Sequence, residues 1–152
     1  VKKRRIHDTE DREQLLKLPL GEEIDFSVKS NLTDATLIVE GRKIYVGKDF
    51  LSLLSPFFNI ILNGDKFAEK DMKEHEIKDV SYDDFMIMLA YLTNPIRPIE
   101  VNDVESLLIL GDRFDITGLV HRVESFLHYT EEITDVNKFI LADRFRLNRL
   151  EV

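Results

Sequence analysis

The stretch "TDATLIVEGRKIYVGKDFLSLLSPFF", residues 33–58, decides the fold. Its first half holds two runs rich in β-branched and aromatic residues, 36–39 and 43–46, on either side of a turn that contains a glycine. This pattern is typical of a β-hairpin. The second half changes to a helical period, and Ser55 followed by Pro56 indicates the end of one helix and the capped start of another. The stretch therefore predicts a hairpin followed directly by two helices.

The segment before the hairpin reads "EIDFSVK", residues 23–29. Ile24, Phe26 and Val28 alternate with polar residues, which predicts one apolar face of an extended strand. Two alternatives remain open for this strand, since it either pairs with a second copy of the chain or packs within its own chain.

Downstream of the two helices, the sequence predicts a short strand near Glu76 and four more helices. Ser81 caps the first of these helices, and Asn102 repeats the same capping pattern for the second. Gly64 is expected to close the helix before them in the left-handed conformation. The last helix begins after Thr134. The residues of that helix predicted to face inward are Val136, Phe139 and Ile140.

Two stretches near the end of the chain read almost alike, "LILGDRFDITGL" at 108–119 and "FILADRFRLNRL" at 139–150. Adjacent Asp and Arg side chains do not face each other on a helix, so the repeated Asp-Arg-Phe is a poor catalytic couple. The offset of 31 residues between the copies is typical of a repeated helix pair. We predict two similar corners, each with the Phe at a helix end and the next apolar residue folded back across the turn. These pairs are Phe114 with Ile116 and Phe145 with Leu147.

Composition limits the class of protein. The 152 residues are 43% hydrophobic and 33% charged, which is typical of one globular domain with a sizeable core. The formal net charge of −8 argues against a nucleic-acid partner, and no apolar run is long enough to span a membrane. The absence of cysteine excludes disulfides and thiolate sites and permits a reducing compartment, and we expect a cytoplasmic or nuclear location.

The chain begins with Val1 rather than Met, and we expect it to be a fragment of a longer protein. Residues 1–23 are a charged segment in which 8–18 are predicted to form a short helix that ends before Pro19. The initial "VKKRR" is interpreted as a solvated tail rather than an import signal or phosphate-binding arm, because no aromatic or further basic run follows it.

Residue types that carry chemistry are scattered along the chain. The four histidines, His7, His75, His121 and His128, do not provide the ligand spacing of a zinc site. "KEHEIK" lacks the second His of a zinc-protease helix, and "GDKFAEKDMKE" does not follow the order of a calcium-binding loop. No phosphate-binding glycine loop or nucleophile motif occurs. We therefore predict no catalytic residue, no cofactor and no metal site.

The order of elements and the motifs at residues 33–58 closely resemble the BTB (POZ) domain. Its pattern is an Asp before a hairpin, an extended Val-His-Lys, a leucine-rich helix and Ser-Pro-Phe-Phe, and here Gly47 takes the place of the usual His. The resemblance covers roughly residues 25–129, and "DFSVKSNLTDATLIVEG" looks most like BTB domains that follow a MATH domain. The residues that match the pattern are Asp34, Val46, Lys48, Leu51, Ser55, Pro56, Phe57 and Phe58.

The resemblance implies an α+β fold. It consists of a small, mostly three-stranded sheet flanked by a cluster of helical hairpins. We accordingly divide the chain into an N-terminal charged segment (1–23), a BTB/POZ domain (24–130) and the truncated start of a C-terminal helical extension (131–152).

The resemblance also implies an interaction module without an active site. Many members of this family bridge a substrate-recruiting domain to cullin-3 in a ubiquitin ligase, and the N-terminal domain of cullin-3 is the expected partner. In that family the contact uses a hydrophobic residue, any residue and Glu after the Ser-Pro-Phe-Phe helix, which Phe67, Ala68 and Glu69 supply here. An exposed Phe offers a large apolar area to a partner, and Glu fixes the register by charge. The alternative is that Phe67 packs locally.

Members of the family commonly form homodimers through the N-terminal segment and the first helices. Asp34 and Lys48 are expected either to form a buried charged pair at the dimer seam or to act separately, the Asp as a turn cap and the Lys in solvent. The resemblance therefore implies one of two functions, a dimeric cullin-3 adaptor or an oligomerisation module for transcription or scaffolding that does not bind cullin. Partners other than protein, whether nucleic acid or membrane, are not expected. The predicted dimer residues are Ile24, Phe26, Val28, Asp34, Lys48 and Leu51.

Overall fold

A computed structural model describes residues 24–64 and 74–147 of the chain. The predicted N-terminal helix at residues 8–18 lies outside the described residues. In chain order the elements are β1 (Ala35–Val39), β2 (Arg42–Val46), α1 (Lys48–Leu54), α2 (Pro56–Asn63), β3 (Glu74–Ile77), α3 (Tyr82–Thr93), a 3₁₀ turn (Val101–Asp103), α4 (Val104–Arg113), α5 (Thr117–Tyr129) and α6 (Asp135–Phe145).

The three strands form one sheet in the order β2-β1-β3. β1 and β2 are antiparallel, with Ala35 opposite Val46, and β3 runs parallel to β1. The predicted hairpin is confirmed, and its two turn residues, Glu40 and Gly41, have φ of 49° and 72°. Two left-handed residues are what a two-residue hairpin turn requires. One face of the sheet enters the core through Leu37, Val39, Ile44, Val46 and Ile77.

The hairpin turn also holds the start of α3. The Glu40 carboxylate accepts a hydrogen bond from the backbone N–H of Tyr82, although glutamate is an unusual residue at positive φ. Ser81 caps the same helix, since its Oγ accepts from the N–H of Asp84 at 3.1 Å. The predicted Ser81 cap is thus confirmed, and the sheet and α3 are fixed to one another at the helix start.

The corner between α1 and α2 is anchored by Ser55. Its Oγ accepts from the N–H of Phe58 at 3.1 Å, as predicted for a cap, and donates to the carbonyl of Phe114. Ser55 is fully buried, so both bonds lie away from water. Around it, ring centroids of neighbouring aromatic side chains lie 5.0 to 6.1 Å apart. The aromatic cluster consists of Phe57, Phe58, Phe85 and Phe114.

The two Asp-Arg-Phe stretches form the same corner. In each copy the residue after the Phe has the left-handed backbone conformation. The next, apolar residue donates its N–H to the carbonyl of the small residue that precedes Asp-Arg-Phe. This arrangement is a Schellman-type helix ending. The predicted corners are therefore confirmed. The left-handed residues are Asp115 (φ 54°) and Arg146 (φ 53°), and the bonds join Ile116 to Gly111 (2.8 Å) and Leu147 to Ala142 (2.9 Å).

Three predictions about the helices were wrong. Gly64 continues the right-handed helix, with φ of −66°, rather than adopting the left-handed conformation. Asn102 lies inside the 3₁₀ turn and does not cap α4, which begins at Val104. Asp103 is the residue in the cap position, but its carboxylate accepts a hydrogen bond from the Tyr91 hydroxyl at 2.7 Å and makes none to the start of the helix.

The third error concerns the orientation of α6. Leu141 and Phe145 of this helix are partly buried against the core, whereas the residues predicted to face inward are exposed. Apolar residues occur on more than one side of α6, so periodicity alone does not select the buried side. The side of α6 that is buried is the side in contact with α4, and this contact includes an ion pair between Arg144 and Glu105 at 2.6 Å. The exposed fractions are 69% for Val136, 64% for Phe139 and 54% for Ile140.

Candidate interaction surface

An exposed apolar surface lies on α1. The helix buries Leu51 completely, while Phe50 is 39% exposed and Leu53 is 85% exposed. Phe50 and Leu53 are three positions apart, so they are neighbours on the side of the helix that faces away from the core. A leucine this exposed on a helix whose opposite side is packed is a residue available to a partner.

The backbone of Leu32 borders the start of α1. A Cβ placed on Gly47 would lie 3.0 Å from the Leu32 carbonyl oxygen and 3.6 Å from the Cβ of Phe50, so Leu32 and Phe50 both border Gly47. A larger residue at position 47 would press on the backbone of Leu32, which explains the glycine where the BTB pattern usually has His. The Leu32 side chain is 71% exposed. We refer to Leu32, Phe50 and Leu53 as the α1 surface.

The predicted strand at residues 24–28 does not form within the described chain. The Asp25 carboxylate accepts from the backbone N–H of Ser27 at 3.0 Å and from its hydroxyl, which folds the segment into a turn. These bonds lower the pKa of Asp25, the side-chain bond most. Short polar side chains that bond their own backbone compete with strand pairing. One bond remains to the sheet, from Tyr45 N–H to the Phe26 carbonyl at 2.8 Å.

The turn separates the residues that were predicted to share one face. Phe26 is 7% exposed, whereas Ile24 is 42% and Val28 is 57% exposed. Phe26 and the fully buried Leu51 belong to the core of their own chain, so their side chains offer almost no area to a second copy. The side chains of Ile24 and Val28 remain accessible to a second copy of the chain.

The Asp34 side chain contacts the backbone of Lys48. An Oδ of Asp34 accepts the N–H of Lys48 at 2.7 Å, which satisfies a donor at the start of α1. Within the single chain Asp34 is exposed and Lys48 is half-buried. Of the ion pairs between described residues, none joins this carboxylate to this ammonium group. Asp34 therefore caps α1 within the single chain, and its pairing with Lys48 at a dimer seam stays a prediction.

Phe67, Ala68 and Glu69 lie outside the described residues, so the cullin contact stays a prediction. In the sequence the segment lies between α2, which ends at Asn63, and β3. The Asn63 side-chain amide donates to the Ser52 hydroxyl at 2.7 Å and so holds the end of α2 to α1.

A charged cluster at the end of α3 was not predicted. The Arg122 guanidinium donates to the backbone carbonyls of Tyr91 (2.7 Å), Asn94 (3.1 Å) and Arg97 (2.5 Å). Burial lowers the pKa of Arg122, and it raises the pKa of the Tyr91 phenol, which also donates to Asp103. These partners lie 25 to 31 residues from Arg122, so no local pattern could have indicated them.

Two further features are absent from the residues that the structure describes. Among the residues that the structure describes, no three His, Cys, Asp or Glu side chains are grouped so as to hold a metal ion. In the same ranges no helix has the length and apolar character needed to cross a membrane.

Comparison with known proteins gives a consistent result. The family model "BTB/POZ domain" matches residues 25–131. BTB and MATH domain-containing proteins 38 and 36 of Caenorhabditis elegans are 31% and 33% identical to the chain over 125 and 123 residues. These matches cover 82% and 81% of the chain but 32% and 38% of the relatives, so the chain spans about a third of their length.

Two further matches extend this comparison. Kelch-like protein 22 of Xenopus tropicalis is 28% identical over 120 residues, which are 78% of this chain and 19% of that protein. The solved structure of the BTB domain of human Gigaxonin aligns with a TM-score of 0.53 at 19% identity, covering 83% of this chain and 98% of that one. The last match supports the α+β fold described above. The chain belongs to the BTB/POZ family of protein-interaction domains.

Proposed function

We propose that this chain is the BTB module of a cullin-3 adaptor, which forms a homodimer and leaves substrate selection to another part of a longer protein. The observation that carries the dimer is the α1 surface. Exposed apolar residues on a rigid helix form the centre of protein interfaces, where a few anchors supply most of the binding energy. Relatives whose names include a MATH domain support the view that the module works beside another domain.

The dimer places the α1 surface of one copy against that of another. A twofold axis brings the same residues of both copies together, so Leu53 is expected to lie near its own equivalent. Ile24 and Val28 enlarge the apolar area, while Asp34 and Lys48 lie at the rim. Stable interfaces bury roughly 800 Å² per partner, more than these side chains provide, so further residues take part.

Support for cullin-3 binding comes from sequence position. Phe67, Ala68 and Glu69 follow α2 directly, at the place where the family pattern has its hydrophobic residue and Glu. The aromatic cluster and Ser55 fix α2 against the core, so the segment starts from a rigid support. Phe67 supplies apolar contact area, and Glu69 pairs with a basic residue of the partner.

Calorimetric titration with the N-terminal domain of cullin-3 tests this function. We expect the intact chain to bind, and the double variant Phe67→Ala, Glu69→Lys to bind at least about tenfold more weakly, because loss of an aromatic anchor typically costs 2 kcal/mol or more. Glu131→Lys, a charge change at an exposed residue preceding α6, is the matched control and should bind like the intact chain.

The outcomes separate the alternatives. Undiminished binding of the double variant would contradict the assignment of residues 67–69. No binding by an intact, dimeric chain would favour the second candidate, an oligomerisation module for transcription or scaffolding, which the α1 surface supports equally well.

A further inference from the structure

The segment at residues 24–28 is folded into its turn around one carboxylate oxygen. Oδ1 of Asp25 accepts the backbone N–H of Ser27 at 3.0 Å and the hydroxyl of Ser27 at 2.5 Å. The N–H of Val28 donates to the Asp25 carbonyl at 3.3 Å and closes the turn. The alternation of apolar residues in this segment is nevertheless that of a strand. The turn is therefore favoured over the strand by hydrogen bonds in which Ser27 is the donor.

A sheet edge lies beside this segment. Tyr45 and Lys43 of β2 belong to the pairs of the hairpin that do not exchange backbone bonds, because the pair next to the two-residue turn does exchange them. Their N–H groups therefore point away from β1. The N–H of Tyr45 reaches the Phe26 carbonyl at 2.8 Å, whereas no described residue provides a backbone acceptor for the N–H of Lys43. A segment extended along this edge would supply that acceptor.

The hydroxyl of Ser27 is accessible to an enzyme. Residues 27–32 are all exposed, so a protein kinase can bind a run of backbone that begins at Ser27. Ser30 lies in the same run, but its hydroxyl oxygen accepts the N–H of Leu32 at 3.1 Å. The two serines are thus equally accessible, and they differ in the direction of the hydrogen bonds that their hydroxyl groups make.

We propose that Ser27 is phosphorylated by a protein serine kinase, and that the phosphate converts residues 24–28 from the turn into a fourth strand at the edge of β2. In the reaction, Oγ of Ser27 attacks the γ-phosphorus of ATP and its proton passes to a base of the kinase. The bond from that phosphorus to the bridging oxygen breaks, and ADP leaves. The product carries a charge of about −1.5 to −2 and has no hydroxyl donor.

Repulsion between like charges favours the strand after phosphorylation. Asp25 is ionised at neutral pH, since the bonds from the Ser27 hydroxyl and N–H lower its pKa. In the turn a phosphate on Ser27 would touch this carboxylate, whereas alternate residues of a strand lie about 7 Å apart. The strand also places Lys29 on the same face as the phosphate. Phe26 holds the segment to the sheet in both forms, because its buried side chain and its bond to Tyr45 do not involve Asp25.

Nuclear magnetic resonance of the full chain, with phosphoserine introduced at position 27 during synthesis, tests the response. We expect the Cα and Cβ chemical shifts of residues 24–28 to move towards strand values. Exchange of the Lys43 amide hydrogen should slow at least about tenfold, because this N–H gains an acceptor. Phosphoserine at position 30 is the matched control. It adds the same charge and keeps the oxygen that Leu32 uses, so it should leave both observables unchanged.

The response takes place within one copy of the chain and requires neither cullin-3 nor a dimer. It should therefore persist in the Leu53→Asp variant, and a response lost in that variant would assign the strand to a second copy and overturn the proposal. An unchanged segment with phosphoserine at position 27, or an equal response with phosphoserine at position 30, would overturn it as well.

Mass spectrometry tests the modification itself. The full-length protein, isolated from the cells that naturally express it while phosphatases are inhibited, should carry phosphate on Ser27. Phosphate confined to other residues, or its complete absence, would contradict the assignment of Ser27 as the modified residue.

Discussion

The two Asp-Arg-Phe corners have the same backbone and different surroundings. The first, between α4 and α5, lies in the core, and Phe114 is completely buried within the aromatic cluster. The second, at the end of α6, packs on one side only, and Phe145 is partly buried. A short motif therefore specifies the turn of the chain, whereas the stability that the turn provides depends on what packs against it. The following predictions compare corresponding residues of the two corners.

The largest difference is expected for the two phenylalanines. Phe114→Ala removes a ring that contacts three others and should lower the free energy of unfolding by about 3 to 5 kcal/mol. Phe145→Ala removes a ring that is only partly buried and should cost about 1 to 2 kcal/mol. Urea denaturation followed by circular dichroism measures both values, and equal costs would show that the second corner is as deeply packed as the first.

A smaller difference is expected for the small residues, Gly111 and Ala142. A Cβ on Gly111 would lie 2.8 Å from a methyl carbon of Val120, so Gly111→Ala should cost about 1 to 3 kcal/mol through overpacking. Ala142→Gly should cost about 0.5 to 1 kcal/mol through lost helix propensity alone. Gly118→Ala is the control, and it should stabilise the chain by a similar small amount because nothing lies near its Cβ. A stabilising effect of Gly111→Ala would contradict the close contact between α4 and α5.

The smallest difference is expected for the two arginines. Arg113 donates to the carbonyls of Lys78 and Asp79 and so ties the first corner to the loop after β3. Arg144 forms an ion pair with Glu105, and both side chains are more than half exposed. Substitution of Arg113 by Gln should cost about 1 kcal/mol, and of Arg144 by Gln about 0.5 kcal/mol or less. Only the Arg144 effect should disappear at high salt, which denaturation at two ionic strengths will show.

Features encoded by neighbouring residues were predictable from the sequence. The hairpin, the caps at Ser55 and Ser81, and both corners depend on residues within about five positions, and all agree with the structure. Each of these features requires a particular backbone conformation or cap, and only a few residue types provide it, so the residue types indicate the feature.

Features that depend on distant partners were predicted poorly. The strand predicted at residues 24–28 is an exception, because hydrogen bonds between Asp25 and Ser27, only two positions apart, fold that segment into a turn. Asn102 has the composition of a cap, yet the chain tightens into a 3₁₀ turn because Asp103 is held by Tyr91. The exposure of the α1 surface and the position of Arg122 follow from packing between elements, for which a single sequence carries no local signal.

The central claim is that the α1 surface joins two copies of the chain, and the mass in solution tests it most directly. Light scattering across a dilution series should give the intact chain twice the mass of one copy. Leu53→Asp should give one copy with unchanged circular dichroism, because an 85% exposed side chain does not support the fold and a charge there is costly only when the surface is covered. Ile96→Asp, at a similarly exposed isoleucine in the loop after α3, should remain dimeric. A monomeric intact chain, or a Leu53→Asp variant that stays dimeric, would contradict the account.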